Sequence, residues 1–324
     1  MPEQHSRQWT EASWRQWGLA SSTMWLVFIN PAAGRRPVEV SKVRAALAGA
    51  KVEAQVETPG SGAAMWERIV ALAGSDGPVK VAVVGGDGTA NLAANAILST
   101  TWKVRPWLGI LPAGTGCDLL RTFAIPQKLE KAAIHLAGDS TYQIDVGLLQ
   151  GDFGVRHFLN VAQIGLGAAA AESAPTISRS WGKARYPVAF LKRLPGFPQA
   201  QVSMRGTGKS DSAAGARGYE GPAIAVILAN GQFFAGGWNV APRANLTDGL
   251  LDVQVINCRK REAFRLVPKI IRGVHLADPA VQRFSKSALE LATDPDWPLE
   301  ADGDLVGNTP VTVSVLPGAL SLKI

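Results

Sequence analysis

Residues 79–90 read VKVAVVGGDGTA, a buried β-strand that ends in a glycine-rich turn and leads into a helix beginning near Ala90. The run up to Val84 is apolar and of strand length. Glycines allow positive φ and a close approach to a ligand, and a helix start offers unpaired N–H groups to a phosphate. Asp87 can hold Mg²⁺ or orient a hydroxyl. A plain strand-to-helix turn needs fewer glycines, so this stretch predicts a phosphate site in an α/β fold.

Two other predicted strands end in turns of the same kind. Residues 25–29 are an apolar run closed by NPAAG at 30–34, and residues 107–111 are closed by PAGTG at 112–116. Arg35 follows the first of these turns and is suited to phosphate charge. Strands that alternate with helices indicate a doubly wound parallel sheet, in which ligands bind at the carboxyl ends of strands. Each turn alone can be a mere loop, but together they predict one nucleotide cleft.

The second half of the chain has a different pattern. Short segments of alternating apolar and polar residues occupy 157–164, 223–229, 250–256 and 311–316. Such segments are typical of an antiparallel, β-rich, sandwich-like domain. We therefore expect an N-terminal extension at residues 1–23, a nucleotide-binding α/β domain at 24–144 and a β-rich substrate domain at 145–308.

The bulk composition excludes some classes of protein. Among the 324 residues, 47% are hydrophobic and 18% charged, which is an ordinary globular balance. No run reaches the ~20 apolar residues of a membrane-spanning helix, and residues 1–22 lack the apolar stretch of a secretory signal. The two cysteines, Cys117 and Cys258, are too few for a disulfide framework. We expect a cytoplasmic protein.

The formal net charge of +7 favours contact with anions. The basic residues are dispersed without the aromatic-basic cluster that stacks on bases, so we expect phosphates and lipid headgroups rather than nucleic acid. Residues 179–193 interleave basic and aromatic residues, and they can form either a membrane-recognising surface or a solvated helix face. Trp9, Trp14 and Trp17 of the extension can likewise dock at a membrane interface or pack on the body.

Two common nucleotide-binding motifs are not expected in this chain. The chain lacks the glycine-lysine-serine/threonine phosphate loop. Residues 165–170, GLGAAA, imitate a dinucleotide fingerprint, but that motif needs an acidic residue about 20 positions later for the ribose. Residues 179–193 contain no acidic residue. Dinucleotide binding at this stretch is therefore not expected.

The turns described above, in their order and spacing, resemble the diacylglycerol kinase catalytic-domain family, which includes sphingosine and ceramide kinases and bacterial lipid kinases. The resemblance extends from about Trp25 to the C-terminus. It continues through Asn160-Val161-Ala162 with Gly165, through TDGLLD at 247–252 and through DGD at 302–304. The Gly-Gly-Asp-Gly turn alone is shared with nicotinamide dinucleotide kinases, and the later motifs favour the lipid branch.

The resemblance implies a two-domain fold whose last strand, at about 309–324, returns to the first domain, with ATP in the cleft. It implies transfer of the γ-phosphoryl group of Mg²⁺-bound ATP to a hydroxyl of a membrane lipid, by a protein in peripheral contact with the membrane. Asp304 matches the general base, and Asp87 would position metal or substrate. The metal site maps onto Asp248 with the backbone carbonyls of Asn245 and Leu250. Nucleotide contacts map onto Asn30, Pro31, Gly34, Arg35, Thr58, Gly85, Gly86, Asp87, Gly88, Thr89, Asn91, Gly114 and Thr115.

Two residues depart from the family pattern. The family usually has Asn where this chain has Cys117, and Glu where it has Asp304. The shorter carboxylate reaches about one methylene less far, and an error of ~1 Å can cost ~100-fold in rate. Asp304 can also be a simple turn residue, and Asp248 can belong to a hairpin turn.

Three functions remain open from sequence. The leading one is a lipid kinase; the second is a dinucleotide or other small-molecule kinase on the same nucleotide fold. The third is a nucleotide- or lipid-binding protein with weakened catalysis, supported by the departures at Cys117 and Asp304. The sequence names neither the lipid nor the oligomeric state, and it leaves a homodimer open.

Overall fold

The computed structural model describes residues 24–31, 33, 38–113, 117–178, 185–208 and 218–324. The extension predicted at residues 1–23, with its three tryptophans, lies outside these ranges. None of the described helices is both long enough and apolar enough to cross a membrane.

The first half of the described chain alternates strands with helices. β1 pairs in parallel with β2 and β3, and β3 pairs in parallel with β4, giving the order β2-β1-β3-β4. β1 is buried along its whole length, as expected for a parallel strand covered on both faces. These pairings confirm the predicted doubly wound sheet. The elements are β1 (Trp25–Ile29), α1 (Val40–Gly49), β2 (Ala54–Glu57), α2 (Gly62–Ala71), β3 (Lys80–Gly85), α3 (Asp87–Leu98), β4 (Trp107–Pro112), α4 (Asp118–Thr122) and α5 (Leu129–Ala133), with 3₁₀ turns at Leu72–Gly74 and Ile134–Leu136.

Helix α3 begins at Asp87, three residues before the start expected from the sequence. Gly86 is extended, and its carbonyl accepts from the N–H groups of Thr89 and Ala90 at 3.0 and 3.1 Å, which closes the first helical turn. The turn is too tight for a side chain at Gly85, where a Cβ would overlap the side chain of Thr89. The strand therefore passes into the helix with no intervening loop.

The second half of the described chain is mainly antiparallel. A six-stranded sheet has the order β12-β11-β10-β7-β14-β15 with antiparallel neighbours throughout. This confirms the predicted β-rich domain. Its elements are β5 (Thr141–Gly151), β6 (Gly154–Phe158), β7 (Val161–Gly165), α6 (Leu166–Ser173), a 3₁₀ turn (Ala174–Thr176), α7 (Arg185–Arg193), β8 (Ala200–Gly206), β9 (Tyr219–Ala223), β10 (Ala225–Ala229), β11 (Leu251–Ile256), α8 (Lys260–Arg272), β12 (Val281–Lys286), β13 (Ala288–Asp294), β14 (Pro298–Ala301), β15 (Asp304–Asn308) and β16 (Val311–Lys323).

The last strand, β16, joins the two halves of the molecule. Its residues Ser321 and Leu322 pair in parallel with Trp107 and Leu108 of β4, while its other pairings with β5 and β13 are antiparallel. The parallel sheet thus continues into the β-rich half as one ten-stranded sheet. This confirms the predicted return of the last strand. The boundary expected between residues 144 and 145 falls inside β5, and the division there stays a prediction.

Two large apolar cores and one small cluster at α6 and α7 hold these layers. The first surrounds the parallel sheet and contains Phe28 and Leu111, and the second contains Trp297 together with residues from both sheets, such as Val202 and Val226. Burying each such side chain contributes about 1.5–3 kcal/mol. The turns at the carboxyl edge of the parallel sheet therefore sit on a rigid support.

Candidate active site

The turns after β1, β3 and β4 are tied to one another. The Asn30 N–H donates to the Val84 carbonyl at 3.1 Å, and Asn30 Nδ2 donates to Thr89 Oγ1 at 2.8 Å. The Ala113 N–H donates to the Gly85 carbonyl at 2.9 Å. The structure therefore brings the predicted nucleotide-binding turns together at one edge of the sheet. Two further predicted contacts lie at that edge, Pro31 directly after Asn30 and the exposed Thr58 directly after β2.

The start of α3 is open to an anion. Gly86 caps the helix without any side-chain hydrogen bond. The N–H groups of Asp87 and Gly88 have no backbone partner in the described ranges. A Cβ built on Gly88 would meet nothing within 4 Å, so this glycine faces free space. Unpaired N–H groups at a helix start attract phosphate, because they carry the positive end of the helix dipole.

The carboxylate of Asp87, a half-buried residue, lies among donors. Its Oδ1 accepts from the N–H groups of Asp118 and Leu119, at 2.7 and 3.3 Å. Cys117 Sγ and Asn160 Nδ2 also lie 3.3 Å from that oxygen. Burial raises the pKa of Asp87 to about 6, with the nearby charge of Asp118 adding to the shift. Asp87 thus links the turn after β3 to α4 and to the second half of the chain.

A second carboxylate, Asp302, organises the other wall of the site. Its Oδ1 accepts from the N–H groups of Asn160 and Val161 at 2.9 and 3.1 Å. Its Oδ2 accepts from the Leu159 N–H at 2.7 Å and from Asn91 Nδ2 at 2.8 Å. The amide of Asn91, predicted as a nucleotide contact, is therefore engaged in joining α3 to the second half.

Asp304 lies two residues beyond Asp302 and faces solvent. Its side chain is 66% exposed, and Arg156 Nη2 donates to its Oδ2 at 2.8 Å. The tight turn between the two acids has positive φ at Asp302 (+49°) and Gly303 (+95°). Asp304 borders an open cleft of about 470 Å³. The cleft is lined by Phe153, Val155, Arg156, Asp304, Leu305 and Val306.

Asn160 has a feature that its sequence motif did not reveal. Its Nδ2 contacts Asp87 at 3.3 Å and its N–H bonds Asp302 at 2.9 Å, so it stands between the two acids. Its Oδ1 is buried with no hydrogen-bond partner among the described residues. A buried acceptor without a donor is costly, so this oxygen is suited to a donor on a ligand. The sequence signals were its place in the Asn160-Val161-Ala162 motif and its position just before a fully buried strand.

The buried Asp118 forms another tie across the site. Its Oδ1 accepts from Arg121 Nε at 3.1 Å, and its Oδ2 accepts from the Gly236 N–H at 2.7 Å. The start of α4 is thereby fixed to the loop between β10 and β11. This contact could not be read from the sequence, because the partners are 118 residues apart.

The predicted metal ligands belong to one turn before β11. Asp248 Oδ1 accepts from the Leu250 N–H at 3.0 Å, and Asn245 Oδ1 accepts from Thr247. Burial raises the pKa of Asp248, and the nearby charge of Asp145 adds to the shift. Within the described ranges, no group of three or more His, Cys, Asp or Glu side chains could hold a metal ion. The predicted set contains one carboxylate and two backbone carbonyls, and this all-oxygen chemistry suits Mg²⁺.

An apolar cavity lies between the six-stranded sheet and helices α6, α7 and α8. Its free volume is about 40 Å³. The polar wall includes Gln163, whose Oε1 accepts from the Tyr186 hydroxyl at 3.2 Å and whose Nε2 donates to Glu300 at 2.9 Å. Burial raises the pKa of Glu300 well above its usual range. The apolar lining includes Leu166, Phe190, Ile227, Trp238, Leu266 and Ile270.

Comparison with known proteins places the chain in a family. Residues 24–149 match the family described as "Diacylglycerol kinase catalytic domain", and residues 160–324 match the "YegS C-terminal NAD kinase beta sandwich-like domain". A diacylglycerol kinase of Mycobacterium tuberculosis is 30% identical over 270 residues, which cover 82% of this chain and 84% of that relative. The chain belongs to the diacylglycerol kinase family.

Two further proteins show how widely this likeness extends. A probable lipid kinase YegS-like of Chromohalobacter salexigens is 26% identical to this chain over 265 residues. The match covers 79% of this chain and 81% of the relative. The crystal structure of a putative diacylglycerol kinase from Bacillus anthracis str. Sterne superposes with a TM-score of 0.73 at 22% identity, covering 93% of this chain and 96% of that one. The latter likeness shows the shared fold.

The two departures from the family pattern lie at different places in the kinase. Cys117 touches the Asp87 carboxylate, and burial raises the pKa of its thiol well above the usual range. Asp304 lies at the exposed turn and pairs with Arg156. Four predicted nucleotide contacts lie outside the described residues, namely Gly34, Arg35, Gly114 and Thr115.

Proposed function

We propose that the kinase transfers the γ-phosphoryl group of ATP to a hydroxyl of a membrane lipid of the diacylglycerol type. The observation that carries this proposal is the link between the apolar cavity and the acidic turn. Gln163 lines the cavity and bonds Glu300, and Glu300 Oε2 in turn accepts from the Gly303 N–H at 2.7 Å, next to Asp304. The cavity, with about 40 Å³ of free volume, has room for the end of an apolar chain rather than for a whole lipid, so the acceptor would place only part of its apolar body there, with its hydroxyl at the cleft that Asp304 borders.

The phosphates of ATP would lie at the start of α3. The open N–H groups of Asp87 and Gly88 would bind them, and the turn after β1 would close the other side. Mg²⁺, held by Asp248 with the backbone carbonyls of Asn245 and Leu250, would supply charge neutralisation during transfer.

Asp304 would act as the general base. Its exposed carboxylate accepts the proton of the lipid hydroxyl while the hydroxyl oxygen forms a bond to the γ-phosphorus. The bond from that phosphorus to the bridging oxygen breaks, and ADP leaves with the electron pair. The ion pair with Arg156 orients the carboxylate. Asn160 Oδ1, which lacks a described partner, would accept a hydrogen bond from the substrate.

The acceptor determines where the enzyme works. A membrane lipid is reached only at the bilayer surface, so we propose peripheral membrane association in the cytoplasm. The net charge of +7 supports contact with anionic headgroups.

The test is transfer of labelled phosphate from Mg-ATP to a panel of lipids in mixed micelles. Diacylglycerol, a sphingoid base, ceramide and phosphatidylglycerol form the panel, and nicotinamide dinucleotide is the soluble control. We expect a labelled lipid with diacylglycerol as the preferred acceptor. Labelling of the dinucleotide alone would replace the proposal with a small-molecule kinase. ATP binding without any labelled product would favour a binding protein that has lost catalysis.

A further inference from the structure

Helix α8 carries apolar side chains on two opposed sides. Leu266 and Ile270 are buried and line the apolar cavity on the inner side. Phe264 and Ile271, one heptad apart and so on one face, are 49% and 37% exposed. Val274, just beyond the helix, is 62% exposed. A helix that only covers a core needs one apolar stripe, so the outer stripe has no role within the described fold.

Arginines run beside this outer stripe. Arg261, Arg265 and Arg272 are exposed, and their spacing places them on one side of the helix. In contrast to Lys269, which pairs with Asp278, these three have no ion-pair or hydrogen-bond partner among the described residues. The docking face is defined as Arg261, Phe264, Arg265, Ile271, Arg272 and Val274.

We propose that the docking face of α8 binds an anionic lipid bilayer. A helix with large apolar side chains beside unpaired cations lies in the plane of a membrane interface, with the apolar groups below the headgroups and the cations among the phosphates. Each arginine near an anionic surface strengthens binding about fivefold, so three give on the order of 100-fold.

Charge argues against two other occupants of this face. In a symmetric dimer the same patch meets itself, which brings like-charged arginines together. The N-terminal residues 1–23 contain two glutamates and two arginines, so their side chains offer no negative excess. A bilayer of anionic lipid complements both the apolar stripe and the arginines.

Docking through α8 deepens the proposed function and rests on it, because it brings the lipid source to the cavity. The inner face of the helix lines that cavity, while the outer face would rest on the bilayer. At the start of the helix, Lys260 Nζ donates to the Pro195 carbonyl at 2.7 Å, which ties α8 to the chain after α7. Two of the three helices that border the cavity, α7 and α8, are therefore held at the same side of the molecule.

The experiment measures binding of the full chain to sedimented vesicles. Vesicles of phosphatidylcholine mixed with phosphatidylglycerol are compared with vesicles of phosphatidylcholine alone. We expect the wild-type protein to bind the anionic vesicles, and the variant Arg261→Gln/Arg265→Gln/Arg272→Gln to lose on the order of 100-fold in partition coefficient. Phe264→Ser/Ile271→Ser should also weaken binding. Equal binding by the wild type and the arginine variant would overturn the proposal.

A matched variant controls for the loss of charge. Arg44, Lys51 and Lys131 are exposed cations of the first domain, and their replacement by Gln removes the same charge. This control should bind the anionic vesicles within a few-fold of the wild type. A loss of binding equal to that of the arginine variant would show that net charge alone accounts for the effect, and it would overturn the docking face. A wild-type dimer that dissociates in Phe264→Ser/Ile271→Ser would assign the face to a second copy instead.

Failure of docking and failure of the proposed function give different results. Wild-type transfer of phosphate to diacylglycerol in uncharged detergent micelles needs no anionic bilayer. If the protein phosphorylates diacylglycerol in these micelles but does not bind the vesicles, only the proposed docking face is refuted. If the protein binds the vesicles through α8 but phosphorylates no lipid, the proposed function is refuted and the docking face is supported.

Discussion

Replacing Asp302 by Asn should destabilise the protein by about 2–4 kcal/mol. The carboxylate accepts four hydrogen bonds, two on each oxygen. An amide keeps one oxygen, so its NH₂ group must face two donors whichever way it is turned. Each lost bond to a charged acceptor costs about 1.5–3 kcal/mol. Burial disfavours the charged carboxylate and so raises the pKa of Asp302. Replacing the charge by a neutral amide therefore recovers part of the lost free energy of unfolding.

Asp304→Asn is the matched control, two residues away. Its carboxylate is mostly exposed, and a surface ion pair such as that with Arg156 contributes about 0–1 kcal/mol. Urea unfolding near pH 7.5, followed by tryptophan fluorescence, measures both variants. The midpoint should fall clearly for Asp302→Asn and hardly for Asp304→Asn. Similar midpoints for Asp302→Asn and the wild type would refute the assignment of Asp302 as the tie between the two halves.

Three further predictions concern Asp87, Glu300 and Asp248, the proposed metal ligand. Because the pKa of Asp87 is raised to about 6, the folded state keeps its proton to higher pH than the unfolded state, so wild-type stability relative to Asp87→Asn should fall by about 1 kcal/mol between about pH 5 and pH 8; a constant difference in urea unfolding would contradict this. The pKa of Glu300 is also raised, so the wild type should lose stability relative to Glu300→Gln as pH rises above about 4.5; parallel melting curves across pH would be the opposing result. Millimolar Mg²⁺ should raise the melting temperature of the wild type more than that of Asp248→Asn, and equal shifts would remove Asp248 from the metal site.

Local sequence patterns were enough to predict the framework. The apolar strand runs and the glycine turns are short-range features, and they correctly indicated β1, β3 and β4 with their carboxyl ends at one edge. The start of α3 was predicted three residues late, because no local pattern indicates that the Gly86 carbonyl closes the first helical turn.

The long-range contacts of the site could not be predicted. Asn91 meets Asp302 across 211 residues, and Asp87 meets Asn160 across 73. Such pairs depend on how β7 and β14 lie in the sheet, which no local period records. The solvent-facing side of α8 could not be predicted for the same reason, since exposure depends on which side of the helix the sheet covers.

The most direct test of the catalytic account is single-turnover transfer of labelled phosphate from Mg-ATP to diacylglycerol by Asp304→Asn, with Asp304→Glu as the control that keeps a carboxylate. We expect Asp304→Asn to bind ATP with unchanged affinity and to lose at least about 100-fold in the rate of transfer, whereas Asp304→Glu should remain active. Transfer by Asp304→Asn within a few-fold of the wild-type rate would contradict the role of Asp304 as the general base.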